Sequence, residues 1–330
     1  MDPKPDFYDV IVVGAGPAGL TAGMYLARAK MKTLLLSEGS VGGQMVLTHE
    51  IANYPGVESI GGYQLATIMK KQAVKFGCEV RSNLTVTGLD LEGDIKSVEV
   101  NGRSTFMAPA VILATGGRSR MLGVPGEQEL KGKGISYCAT CDGDFFQDKD
   151  IIVVGGGNSA LEEAVSLTTY ARSVTIVHQF DHFQAFAHAE EEVKRNPKIS
   201  VVLQSTITEF IGADALQAVK IRNLITGETR DMPIDGVFIF IGYIPNTETL
   251  VGKVRLNSAG EIEVTDLLQT SVQGVFAAGD AVQKRYRQVT TAVADGTIAA
   301  LGAIEYLRTS GASQLAPTGA HRFHNGRDDK

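Results

Sequence analysis

The hydrophobic positions of the chain gather into short unbroken runs, each followed by a glycine turn and then by a stretch with helical spacing. The clearest run lies in DVIVVGAGPAGL at residues 9–20, where Val10, Ile11, Val12 and Val13 stand in a row. Consecutive β-branched residues suit a strand buried on both faces, since a strand with one wet face would alternate. The following LTAGMYLARAK is rich in alanine and leucine and predicts a helix. The same order returns at residues 150–161, DIIVVGGGNSAL, followed by the helical stretch ALEEAVSLTTY. Asp9 matches Asp150, Ile11 matches Ile152, Gly14 matches Gly155, Gly16 matches Gly157 and Leu20 matches Leu161.

Strand, glycine turn and helix are the start of a βαβ unit. The first glycine permits the tight turn, the second lets backbone approach a pyrophosphate, and the third position packs helix against strand. The helix N-terminus then offers unpaired N–H groups to the anion. One such motif is weak evidence, but two in the same context predict an α/β chain with two Rossmann-like, three-layer dinucleotide-binding domains. The copies differ. The first has Gly14, Gly16, Pro17, Ala18 and Gly19, and its second strand, TLLLSE, ends near Glu38, an acid able to accept ribose hydroxyls. The second has Gly155, Gly157, Asn158 and Ser159, with Ala160 in place of the third glycine. Its second strand, SVTIVH, ends at His178 without an acid.

A chain of 330 residues accommodates two domains, and 44% hydrophobic with 21% charged residues describes a globular protein. The net charge of −6 leaves no basic footprint for nucleic acid. No apolar stretch reaches the roughly 18–20 residues of a membrane span, and the N-terminal residues lack a leader pattern, so a cytoplasmic protein is expected. Three cysteines cannot build a disulfide framework.

Cys138 and Cys141 sit in YCATCDGDFF. A structural zinc site needs four ligands, and the third cysteine, Cys78 in KFGCEV, stands alone, so neither zinc nor an iron–sulfur cluster is expected. A redox dithiol remains, and it suits a chain able to bind electron-carrying dinucleotides. Cys78 reads as a small buried hydrophobe. Asp142 has two readings: an acid–base group for thiol–disulfide exchange if burial raises its pKa, or a turn former before Gly143.

With these motifs the chain resembles the low-molecular-weight thioredoxin reductases over about residues 7–310. CATCDG at 138–143 is similar to that family's active site, GGQMVLTHEIANYPG at 42–56 to its flavin-embracing loop, and VILATGG at 111–117 to its strand entering the interdomain linker. TSVQGVFAAGD at 270–280 resembles its second flavin motif, followed by Arg287-Gln288.

The resemblance implies an FAD-binding domain made of residues 1–118 and 248–330, with a nicotinamide-type domain, 119–247, inserted into it and carrying the Cys-x-x-Cys. Gly116-Gly117 and the stretch 243–247 with Pro245 would be the hinges, and the chain from about 310 a flexible tail. Gly14, Gly16 and Gly19, with Pro17 and Ala18, would cradle the FAD pyrophosphate, and Glu38 the adenosine ribose. Gln44 and Asn53 would lie near the isoalloxazine, and Gly43 would also belong to the FAD site. Ala114, Thr115, Gly116, Gly279, Asp280, Arg287 and Gln288 would complete the FAD site. Reduced flavin would pass two electrons to the Cys138–Cys141 disulfide, with Cys141 beside the flavin and Cys138 attacking thioredoxin or a similar dithiol protein. A homodimer through the flavin domains is implied, as is a rotation that presents the dithiol alternately to flavin and to thioredoxin.

The chain departs from the family at one place. Members that use NADPH carry His-Arg-Arg-x-x-x-Arg after the second strand of the inserted domain. Here residues 178–184 read His-Gln-Phe-Asp-His-Phe-Gln. Each missing arginine–phosphate contact is worth roughly 1.5–3 kcal/mol. NADH is therefore favoured as donor over NADPH, with the dinucleotide held by Gly155, Gly157, Asn158, Ser159, Ala160 and His178. Reduced ferredoxin or a deazaflavin feeding the FAD directly is the alternative, as is a flavoprotein that carries electrons to another disulfide partner or senses redox state.

Overall fold

Runs of apolar β-branched residues form the centres of two parallel sheets. The structure, a computed structural model, describes residues 6–48 and 51–311, without the side chain of Leu47. In chain order the framework is β1 (Val10–Val13), α1 (Pro17–Arg28), β2 (Thr33–Leu36), α2 (Gly62–Lys75), β3 (Glu79–Arg81) and β4 (Ala110–Leu113). Then come β5 (Ile135–Ser136), α3 (Ala139–Asp142), β6 (Asp150–Val154), α4 (Asn158–Leu167), β7 (Ser173–Val177), α5 (Ala187–Arg195), β8 (Ile199–Val202) and β9 (Gly236–Ile239). The chain closes with β10 (Val275–Ala277) and α6 (Val289–Thr309).

By packing, the described chain divides into two units, one of residues 6–48, 60–117 and 245–311 and one of residues 51–59 and 118–244. The segment 51–59, which carries Asn53, groups with the second unit. The tail expected from about residue 310 lies, beyond residue 311, outside the described residues. The chain passes from unit to unit along Gly117–Ser119 and Tyr243–Pro245, which pair as a two-stranded ribbon.

Each unit has one five-stranded parallel sheet. The first is ordered β3-β2-β1-β4-β10 and the second β8-β7-β6-β9-β5. In both, the strand before the glycine turn sits beside the point where the strand order reverses, between β1 and β4 or between β6 and β9. At such a switch point the chain leaves a crevice at the carboxyl ends of the strands, where α/β sheets bind ligands.

A third layer explains why β1 and β6 are apolar on both faces. In the second unit Ile151 and Val153 face the helices with Leu161 and Val193, whereas Ile152 and Val154 face Ile207 and Val219 of a three-stranded antiparallel sheet. In the first unit Ile11 and Val13 pack with Val98 and Phe106 of a smaller, largely antiparallel sheet. Ile11, Leu34 and Leu35 are fully buried, each contributing about 1.5–3 kcal/mol by leaving water. The chain is thus α/β with two Rossmann-like three-layer units.

Both helices start before the residues their apolar spacing marks. Helix α1 begins at Pro17, whose fixed φ and missing N–H suit a first helical position. Helix α4 begins at Asn158 and ends at Leu167, short of Tyr170. Among the described residues no helix is long and apolar enough to cross a membrane.

Candidate functional site

The first glycine turn is built by close approach. Gly14 has φ +109°, and a Cβ there would stand 2.1 Å from the Ala114 carbonyl oxygen at the end of β4. At Gly19 a Cβ would lie 1.8 Å from the Gly14 oxygen, so the third glycine lets α1 sit against the turn. Gly16 is different: its φ of −73° and ψ of −176° suit any residue, and a Cβ there meets nothing within 4 Å. No contact among the described residues requires glycine at this position. Open space in front of a helix N-terminus is what a pyrophosphate needs.

The strand ends beside this turn supply polar atoms without protein partners. Thr115 Oγ1, just past β4, and Asp280 Oδ1, just past β10, are buried and have no hydrogen-bond partner among the described residues. Burial raises the Asp280 pKa, against the opposing charges of Lys284 and Arg287. Buried polar atoms are nearly always paired, so such a pair at a switch-point crevice fits a polar ligand. Glu38 is exposed, two residues past β2. The chain thus has a glycine turn, an exposed acid and two unsatisfied polar groups that could hold a dinucleotide such as FAD.

Other sequence-selected residues have structural duties. Gly43 opens a 3-10 turn, Gly43–Leu47, on which Gln44 is exposed. Asn53 is exposed as well, in the segment that groups with the second unit. The Gly116 carbonyl accepts from Asn246 N at 2.9 Å. Arg287 pairs with Glu261 and reaches the Asp280 carbonyl at 3.5 Å, while Gln288 caps α6 through a reciprocal contact with Thr291. A residue that sequence reading missed supports the Gly279–Asp280 turn. Asp295 Oδ2 accepts from Gly279 N at 3.0 Å and pairs with Lys284. Its signal was a carboxylate within the apolar first half of α6.

The second glycine turn has the same construction with one difference. Gly155 has φ +142°, and a Cβ there would lie 2.3 Å from the Phe240 oxygen and 2.8 Å from Ala160 Cβ. Ala160 therefore replaces the third glycine without blocking the turn. Gly157 is open, its nearest neighbour being the Gln184 oxygen at 3.9 Å from a Cβ. The His178 ring occupies the space above Gly156, 2.4 Å from where a Cβ would be. His178 is 5% exposed, its Nε2 is buried without a partner, and burial lowers its pKa.

The segment that replaces the arginine motif closes over this turn through backbone. Gln184 N donates to the Gly156 oxygen at 2.7 Å, and Phe186 N donates to Asn158 Oδ1 at 2.7 Å. Gln179, Phe180 and Gln184 have exposed side chains, Asp181 pairs with His182, and Ser159 is exposed on the first turn of α4. Residues 178–186 contain no lysine or arginine. The turn keeps its helix N-terminus, and the segment 178–186 beside it offers no lysine or arginine.

Cys138 and Cys141 form a disulfide. Cys138 is the cap of the short α3, its sulfur accepting from Cys141 N at 3.2 Å, which favours negative charge on that sulfur. Asp142 is half-buried, and burial first, then the charge of Asp144, raises its pKa while a hydrogen bond from Ser136 opposes the rise. The preceding Tyr137 donates to Glu127 Oε1 at 2.8 Å, and Glu127, itself buried, also accepts from Leu122 N and Gly123 N. These bonds tie the segment 122–127 to the strand that leads into the cysteines. Ser136 was also missed by sequence reading, although a serine in an apolar stretch two residues before a redox cysteine was a signal. Cys78 is buried, and burial pushes its thiol up to about 12. Among the described residues no group of three or more histidines, cysteines and acids is placed to hold a metal.

Residues 8–296 match the family model described as pyridine nucleotide-disulphide oxidoreductase. A thioredoxin reductase of Peptoclostridium acidaminophilum is 46% identical over 310 residues, spanning 92% of this chain and 98% of that protein. A protein of Clostridium pasteurianum described as a 34.2 kDa protein in the rubredoxin operon is 42% identical, spanning 91% of this chain and 97% of its own length. The crystal structure of thioredoxin reductase from Streptococcus pyogenes MGAS5005 superposes with a TM-score of 0.89 at 41% identity, covering 92% of this chain and 99% of that one.

Proposed function

The chain belongs to the pyridine nucleotide-disulphide oxidoreductases and, within them, to the low-molecular-weight thioredoxin reductases, and from that premise we propose how its residues divide the work. The chain is an FAD-dependent thioredoxin-disulfide reductase. The observation that carries this reading is the Cys138–Cys141 disulfide, followed at once by Asp142 with a raised pKa.

FAD, held by the first glycine turn with Glu38, Thr115 and Asp280, supplies two-electron transfer when bound. The protein's own part is thiol–disulfide exchange. Cleavage of the Cys138–Cys141 bond with two electrons and one proton leaves one thiolate and one thiol. The N–H of Cys141 favours the thiolate on Cys138, the attacking sulfur. Cys141, on the flavin side, takes the proton, which the Asp142 carboxyl holds because burial disfavours its ionised form. Cys138 then attacks the disulfide of thioredoxin or a similar dithiol protein. Asp142 takes back the Cys141 proton, and Cys141 resolves the mixed disulfide.

The donor is NADH. The second turn keeps its open Gly157 and the α4 N-terminus, which serve a pyrophosphate. The lack of any cation in residues 178–186 removes the grip on a 2′-phosphate. One observation favours a second reading: the relative from the rubredoxin operon. In that reading an iron–sulfur protein such as ferredoxin, or a deazaflavin, reduces the FAD directly. The enzyme works as a cytoplasmic homodimer.

The test is electron delivery to thioredoxin by Cys138→Ser. The variant should keep FAD and accept electrons from the donor, yet deliver none to thioredoxin. Delivery at the unmodified rate would overturn the proposal.

A further inference from the structure

Ser136 is 5% exposed at the end of β5, and its hydroxyl stands at a crossing of three hydrogen bonds. Its Oγ accepts from Cys138 N at 3.1 Å. It donates to Asp142 Oδ2 at 2.5 Å, and the Cys138 carbonyl oxygen is a second acceptor at 3.3 Å. The hydroxyl has one proton, so it can serve only one of these acceptors at a time.

We propose that Ser136 is a positioning residue for proton transfer, whose hydroxyl turns between Asp142 and the Cys138 carbonyl as Asp142 changes charge. With Asp142 ionised, the serine proton points to Oδ2. With Asp142 protonated, its O–H donates to Ser136 Oγ, and the serine proton swings to the Cys138 carbonyl. Asp142 is thus hydrogen-bonded in both states, so neither is left as an unsatisfied half-buried group, which would cost far more than the bond itself gains. Because the same hydroxyl holds Cys138 N, the redox loop keeps its place while the proton moves.

The inference rests on the acid–base role proposed for Asp142. In the reducing step two electrons and the Asp142 proton enter, the S–S bond breaks, and Cys141 leaves as a thiol with Cys138 as a thiolate. The reverse transfer returns the proton to the carboxylate. Asp144, on the following 3-10 turn, opposes the ionisation of Asp142. Tyr137 on the preceding strand is engaged by Glu127. Helix α4, which packs against α3, carries Glu162 and Glu163, and Tyr170 beyond it lies against Gly143. Among the described residues the side-chain hydrogen bond to the Asp142 carboxylate comes from Ser136.

The donated bond favours the carboxylate, so its loss should raise the pKa at which Asp142 becomes a base. The measurement is the single-turnover rate of the pre-reduced holoenzyme with oxidised bacterial thioredoxin, followed from pH 5 to pH 9. The rate should rise through an Asp142-dependent limb that Asp142→Asn abolishes. Ser136→Ala should move that limb up by about one pH unit, a tenfold loss on its lower part, and Ser136→Thr should restore it. FAD content and two titratable thiols on reduction would show that each variant is folded. If Asp142→Asn leaves the limb in place, the acid–base reading of Asp142 fails. If Asp142→Asn removes the limb but Ser136→Ala leaves it unmoved, the role of Ser136 is overturned while the acid–base reading stands.

Discussion

A Cβ on Gly14 would stand 2.1 Å from the carbonyl oxygen of Ala114, so the end of β4 packs directly against the glycine turn that leads into α1. Two residues later Gly16 meets nothing, and its backbone is open to any side chain. Glycine at 14 is therefore a requirement of the fold, whereas no contact among the described residues requires glycine at 16, the position proposed to face the pyrophosphate.

The two glycines should separate on substitution. Gly14→Ala should destabilise the protein by about 3 kcal/mol or more, through a strained φ and a clash. Gly16→Ala should keep the melting temperature within a few degrees while FAD affinity falls at least tenfold. Thermal unfolding with flavin absorbance on the same samples checks both.

The cysteines should divide in the same manner. Cys78 is buried with its thiol pushed up to about 12, so it stays protonated and shielded at pH 8. Iodoacetamide should label none of the three cysteines in the oxidised native protein, two after reduction and all three after unfolding, as read by intact mass.

Asp142 places a pH signature on stability. Burial raises its folded pKa above the unfolded value of about 4. Its contribution to stability is therefore present below that unfolded value and is lost as pH rises through the folded pKa. Asp142→Asn removes this loss. Relative to the unmodified protein, the variant should unfold at higher denaturant at pH 8 than at pH 4, while its activity falls.

Much of this was legible in the sequence because it is written in local pattern. The apolar runs at Val10–Val13 and Ile151–Val154 are strands buried between two layers, and the glycines mark turns whose φ or close contacts other residues cannot meet. What stayed hidden depends on residues the fold brings together. Ser136 and Asp142 meet only because the chain turns back through α3, and Asp295 reaches Gly279 N from the first turns of α6. The grouping of residues 51–59 with the second unit has no local signal either. The missing arginines were legible, but not that Gln184 meets Gly156 through backbone alone.

That backbone contact makes the site repairable. Gln179→Arg, Phe180→Arg and Gln184→Arg change exposed side chains and leave the Gln184–Gly156 bond intact. Each arginine on a 2′-phosphate is worth about 1.5–3 kcal/mol, so the triple variant should lower the NADPH KM by at least tenfold and leave that for NADH nearly unchanged. Steady-state thioredoxin reduction with each donor measures the switch.

The most direct test is anaerobic reduction of the oxidised holoenzyme by NADH and by NADPH in parallel, followed as bleaching of the flavin band. NADH at micromolar concentration should bleach the flavin rapidly, and NADPH should do so only at far higher concentration. Rapid bleaching by micromolar NADPH would contradict the account, since the second turn would then grip a 2′-phosphate without the arginines.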